Sequence, residues 1–177
     1  MEFQNLLLQN QTAILKRWFS LILEAYPADA AAVMREDQNR FTNPVGSTLS
    51  REIESLFKGL VENCEPERFS APLSGILKIR SVQDFSPSQA VGFVLFLKKA
   101  IGETLGNGII KGSVLDEWLE FQSRIDEVSL RAFDLYMECR EKICEITVNR
   151  ARAEREMAFR MLERMTSSKE KQQKGQD

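Results

Sequence analysis

Ser86-Pro87-Ser88-Gln89-Ala90-Val91-Gly92-Phe93-Val94-Leu95-Phe96-Leu97 decides the fold. Ser86 can accept from the amide of Gln89 while the Gln89 side chain reaches back to the Ser86 amide, the reciprocal pairing that opens a helix. Pro87 then stands at the first helical position, where its missing N–H costs nothing. Val91, Phe93, Val94, Leu95, Phe96 and Leu97 fall on nearly every face, so this helix is expected in the middle of the core. Gly106-Asn107-Gly108 ends it with common C-cap chemistry. The pattern predicts one helix from Ser86 to Leu105. Almost no run elsewhere alternates apolar with polar residues, so its neighbours are expected to be helices too.

Upstream, Leu7, Ile14, Trp18, Leu21, Ile22 and Ala25 mark one face of a helix from Leu6 to Tyr26, which Pro27 stops. Ala30 to Arg35 suits a short second helix. Asn43-Pro44 offers a cap and a first-turn proline. Val45, Leu49, Ile53, Leu56 and Leu60 follow at amphipathic spacing. Pro66 and Pro72 bracket a weaker segment, and Leu73 to Val82 reads as helix.

Downstream, a long helix starts at Ser113. Trp118, Phe121, Ile125, Val128, Ala132, Leu135 and Cys139 run along it at strict 3-4 spacing, and Leu130, Phe133, Met137, Cys144 and Val148 form a second stripe. One stripe is expected to meet the domain's own helices and the other a second copy. At Cys139 the seam slips by four residues to Ile143, then continues through Ile146, Ala153, Met157 and Met161; such a stutter locally unwinds a supercoil. Glu120–Arg124, Glu127–Arg131, Glu138–Lys142 and Glu156–Arg160 stand in the favourable i, i+4 order. Carried to Met165, the helix outruns the diameter of a small domain, so its end must protrude or pair. The expected organisation is a helical sensory and dimerisation domain over 1–150, the distal part of the last helix over 151–165, and a disordered polar tail over 166–177. Trp118, Phe121, Ile125, Val128, Leu135, Ile143, Ile146, Met157 and Met161 are the candidate dimer or partner helix.

The helical patterning makes the expected fold all-α, and the composition, with 43% apolar and 28% charged residues in 177, is that of an ordinary globular protein. The net charge of -2 gives no pull toward nucleic acid or anionic lipid. From Arg140 onward ten Lys/Arg face seven Asp/Glu, a mild basic bias that suits a solvated helix face. Neither a signal peptide nor a membrane span can be read, and a cytoplasmic location is expected. Three cysteines, Cys64, Cys139 and Cys144, have no secreted-framework spacing and are expected to be reduced, structural and buried. Histidine is absent, which removes His-based triads, His-containing zinc sites and histidine-ligated haem at once. Cys139 and Cys144 do not converge on one face for a metal. Gly102 to Gly108 follows a helix and lacks a Gly-Lys-Ser/Thr ending, so it reads as a cap rather than a phosphate loop. No catalytic residue, metal site or cofactor is expected, and the chain is not read as an enzyme.

Arg80, Gln83 and Asp84, just before the central helix, admit two readings. Arg80 and Asp84 can pair across one turn and brace the start of that helix. Alternatively they form a candidate sensing site with Phe93 and Phe96, whose rings are core or pocket wall. A small-molecule pocket between the central and last helices, near Phe93, Phe96 and Trp118, is the alternative to a function by protein contact alone.

Asn43-Pro44-Val45-Gly46, the stretch from Ile79 to Phe93, and Cys139-Arg140-Glu141-Lys142-Ile143 resemble the N-terminal domain of RsbR/RsbRD-type bacterial regulators, co-antagonists associated with the RsbT kinase and the stressosome. The resemblance covers roughly residues 5 to 155. It implies a helical sensory domain, globin-like and without haem in related RsbR proteins, that dimerises and signals along its C-terminal helix. In those regulators an STAS or histidine-kinase output module follows. Here the chain runs only twelve residues past Met165, so a stand-alone input domain is expected, with an unidentified kinase or other output component as its partner.

Overall fold

The central stretch folds as two helices, not one. In the computed structural model, which describes residues 2–36, 41–83, 85–106 and 113–173, the Ser86 capping box forms: Gln89 N donates to Ser86 Oγ at 3.3 Å, and Ser86 N to Gln89 Oε1 at 2.9 Å. The resulting helix α6 covers only Pro87–Gly92, and α7 starts afresh at Phe96–Leu105. The cause lies on a distant helix. The buried Trp18 indole donates to the carbonyl oxygen of Phe93 at 2.6 Å. A continuous helix would give that oxygen to the amide of Leu97; instead Leu97 N turns to Val94 O at 3.2 Å, and Val94 N to Val91 O at 3.3 Å. These are the tighter i to i+3 bonds of a broken helix. Expected placement in the core holds for Phe93, Val94 and Leu97, while Val91 and Phe96 are half-buried and Leu95 points outward.

Six elements precede this pair: α1 Glu2–Gln9, α2 Gln11–Leu23, α3 Ala28–Glu36, α4 Pro44–Val61, a 3-10 turn Pro66–Phe69, and α5 Ser70–Ser81; α8, Ser113–Gln173, follows it. No strand occurs among the described residues, and the fold is all-α. The helix expected from Leu6 to Tyr26 is divided at Asn10. The Asn10 side chain donates back to Leu6 O at 2.9 Å, the backbone competition typical of asparagine. The N-cap expected at Asn43 is present, with Gly46 N donating to Asn43 Oδ1 at 2.9 Å. Leu105 ends α7, and Gly106 follows at φ 52, a conformation that glycine adopts without strain.

The first compact unit spans Met1–Cys139. Its core stacks α2 against α7 and α4 against α5, with α2 also meeting α4. The proximal part of α8 lies across this core through Val114, Phe121, Ile125, Val128, Ala132, Leu135 and Tyr136, all buried. Phe3 of α1 packs edge-on to Phe121, with ring centroids 5.5 Å apart, and contacts Trp118 at 5.6 Å. Lys98 of α7 pairs with Asp126 at 2.7 Å.

Two of the four expected helix-surface pairs are replaced. Arg124 Nη1 donates to Leu60 O at 3.1 Å and Asn63 Oδ1 at 2.7 Å, and Arg131 Nη2 to Ser70 Oγ at 3.4 Å. The partly shielded Leu60 carbonyl draws Arg124 away from the solvated glutamate on its own helix. Glu156–Arg160 does form, at 3.6 Å. The second unit, Arg140–Asp177, is described by the rest of α8. That helix continues eight residues beyond the expected end at Met165; Lys169, Glu170, Lys171, Gln172 and Gln173 are good helix formers, and the next glycine is Gly175. Residues 174–177 of the expected tail lie outside the described residues. The cysteines correct the expectation of burial: Cys64 and Cys139 are half-buried and Cys144 is exposed, on a helix with no second element of its own unit to cover it. No helix among the described residues is long and apolar enough to cross a membrane.

Candidate functional site

Arg80 closes the last turn of α5 with its whole side chain out of water. Leu73, Ile76 and Leu77 hold that face of α5 in the core, and the same 3-4 periodicity carries Arg80 inward. A buried guanidinium needs partners that offset its lost hydration. Arg80 Nη2 donates to the Gln89 carbonyl of α6 at 3.0 Å. Its carbon lies 4.4 Å from the ring centroid of Phe85, 5.4 Å from Tyr26 and 5.6 Å from Phe93. Three ring faces thus surround the cation, a geometry that strengthens when it is desolvated. Nε and Nη1 have no hydrogen-bond partner among the described residues.

Tyr26, just beyond α2, completes the cluster. Its ring meets Phe85 edge-on at 5.1 Å, and its hydroxyl donates to Gln83 Oε1 at 3.3 Å. Burial pushes the Tyr26 phenol up from its ordinary pKa, opposed by the nearby Arg80 charge. Burial likewise pushes the Arg80 guanidinium down, against the attraction of Tyr26. The cluster ties α2, α5, α6 and the break before α7 at one point. It presents a confined cation and acceptor-seeking N–H groups, and no nucleophile paired with a base.

Of the expected sensing residues, the structure brings together Arg80 and Phe93, with Gln83 joined through Tyr26. Phe96 is half-buried against the main core. Asp84, and with it the expected Arg80–Asp84 pair, lies outside the described residues. Trp118 belongs to a different group of rings, with Phe3 and Phe121. Tyr26 and Trp18 were not legible as members of this site, because each reaches it from more than fifty positions away in sequence.

The candidate partner helix divides by burial. Phe121, Ile125, Val128 and Leu135 are core of the first unit, so they are closed to another molecule, and Trp118 is half-buried. The apolar side chains that this length of α8 exposes include Leu119 at 52% and, at 3-4 spacing, Leu130 at 70%, Phe133 at 47% and Met137 at 40%. In the second unit Ile143 is half-buried, while Ile146, Met157 and Met161 are exposed, together with Val148, Phe159 and Leu162.

No curated protein and no solved structure gives a significant match to the chain. Residues 12–163 match the family described as the RsbT co-antagonist protein rsbRD N-terminal domain, from the start of α2 through the exposed length of α8. That span includes the Arg80 cluster, both halves of the broken central helix and the Leu130–Phe133–Met137 face, and the chain belongs to this family of regulatory stress-signalling domains.

Proposed function

We propose that this chain is a non-catalytic sensory domain that forms a homodimer and signals by protein–protein contact through α8. The observation that supports it best is the Leu130–Phe133–Met137 stripe. A folded domain that exposes three large apolar side chains in register on one helix face gains by covering them. The occupant in this reading is a second copy, since a repeat at 3-4 spacing is self-complementary across a two-fold axis. Exposed Met157, Met161 and Phe159 suit a partner that repacks against flexible side chains, such as a kinase of the RsbT type or another output component in the cytoplasm. A globin-like arrangement without haem belongs to the same proposal. Arg80, Gln83, Phe93 and Phe96 enter it as sensing residues, supported by the two guanidinium nitrogens that have no partner among the described residues.

Light scattering across a concentration series is the test. A dimer is expected for the full chain, and Phe133→Glu together with Leu130→Glu is expected to give a folded monomer. A wild-type chain that stays monomeric at high micromolar concentration overturns the reading.

A further inference from the structure

We infer that α6 is a conformational device built into the fold: it detaches while the rest of the first unit stays folded, hinged at the break before α7, and uncovers the Arg80 guanidinium. The inference rests on the Arg80 cluster and not on dimerisation through α8, so its failure and the failure of that reading show in different experiments.

The drive is the buried cation. Arg80 Nε and Nη1 are closed to water and have no hydrogen-bond partner among the described residues. One bond from Nη2 to Gln89 O and the rings of Tyr26, Phe85 and Phe93 stand in for the hydration of a full charge. Bulk water satisfies every N–H of a guanidinium, so a state that admits water to Arg80 restores what burial removed.

The element over this cation is the one that gives way most easily. α6 packs chiefly against α5. Of its six residues, Pro87, Ser88 and Gln89 are exposed, Val91 and Gly92 are half-buried, and Ala90 alone is buried. Lifting it therefore exposes little apolar surface. The capping box lies wholly between Ser86 and Gln89, so it orders α6 without tying it to the core. A helix this short does not persist alone in water, and once detached it melts.

The hinge is already present. Val94 N bonds Val91 O and Leu97 N bonds Val94 O, so the helical ladder is interrupted and α6 leaves without unwinding α7. The Trp18 indole holds Phe93 O, which fixes the far side of the hinge. Gly92 stands directly before it, with nothing within 4 Å of where a Cβ would be. No close contact requires glycine there, and what it contributes is backbone freedom.

Hydrogen exchange read by mass spectrometry on the full chain tests this. Amides of residues 90–94 should exchange at least about tenfold faster than those inside α5 and α7, and low urea should change their rate little, as a local opening requires. Arg80→Met keeps an apolar side chain under the rings and removes the charge, so it should slow that exchange by about tenfold or more. The lost bond to Gln89 O works in the opposite direction and is the smaller effect. Gly92→Ala meets no neighbour and should slow the exchange by about threefold, with α5 and α7 unchanged. Exchange of residues 90–94 at the rate and urea dependence of α7 overturns the proposal, and so does unchanged or faster exchange in either variant. If Arg80→Met does not fold, the wild-type exchange and Gly92→Ala decide the matter.

Discussion

Replacing Trp18 by Phe should remove the bond that breaks the central helix, and its cost can be worked from the structure. The indole N–H donates to Phe93 O at 2.6 Å in a fully buried place. Leu97 N is already engaged with Val94 O, so no helix amide stands ready to replace the indole. A buried carbonyl left without a donor costs about 1–3 kcal/mol. Phenylalanine keeps the six-membered ring and loses the rest, which leaves a void costing about 1–2 kcal/mol, well below a truncation to Ala. Together the loss is about 3 kcal/mol, and in a chain of this size that lowers Tm by about 6–12 °C. Urea unfolding is a clean assay because Trp118 remains as the single tryptophan, with circular dichroism as the second signal. A loss below about 1 kcal/mol at unchanged m-value would refute the reasoning and place the cause of the break within residues 92–96 themselves.

Four further outcomes are expected. Arg80→Ala should cost at least about 2 kcal/mol in urea unfolding, since it removes a charge-assisted bond to Gln89 O and the packing of three rings. Tyr26 holds its phenolic proton more tightly when folded, so its contribution to stability is whole below the unfolded value of about 10 and fades as pH rises through the raised native one. Between about pH 8 and 11 the wild type should therefore lose more stability than Tyr26→Phe, as read by denaturant midpoints at each pH. Ser86→Ala should cost about 1 kcal/mol through the lost capping box, measured by calorimetry. Asn63→Ala should cost about 1–2 kcal/mol, from left-handed strain plus the lost bond to Arg124, and Asn63→Gly less, because only the bond is lost.

Much of this molecule was legible from local chemistry. Asn43-Pro44 and Ser86-Pro87-Ser88-Gln89 form the caps that their side chains dictate, because a cap involves atoms only three residues apart. The face Leu49–Ile53–Leu56–Leu60 and the stripe Phe121–Ile125–Val128–Leu135 are buried, as helical periodicity requires. Family membership was also legible, and the family match runs over residues 12–163.

What needed the tertiary structure always involved a partner far along the chain. Propensity favours one helix from Ser86 to Leu105, yet an indole seventy-five residues away claims one carbonyl and breaks it. Arg80 reads in sequence as a local brace or a sensing residue, while the Tyr26 ring that closes over its guanidinium comes from fifty-four positions away. Arg124 reads as a surface partner of Glu120, yet the end of α4 offers it two acceptors sixty-odd positions away and leaves its Nε facing no protein acceptor among the described residues. Periodicity determines which face of a helix is apolar, because that is a matter of rise and turn. Which buried polar group meets which acceptor is decided only when the helices dock, because a shielded hydrogen bond outweighs the weak local preferences that the sequence displays.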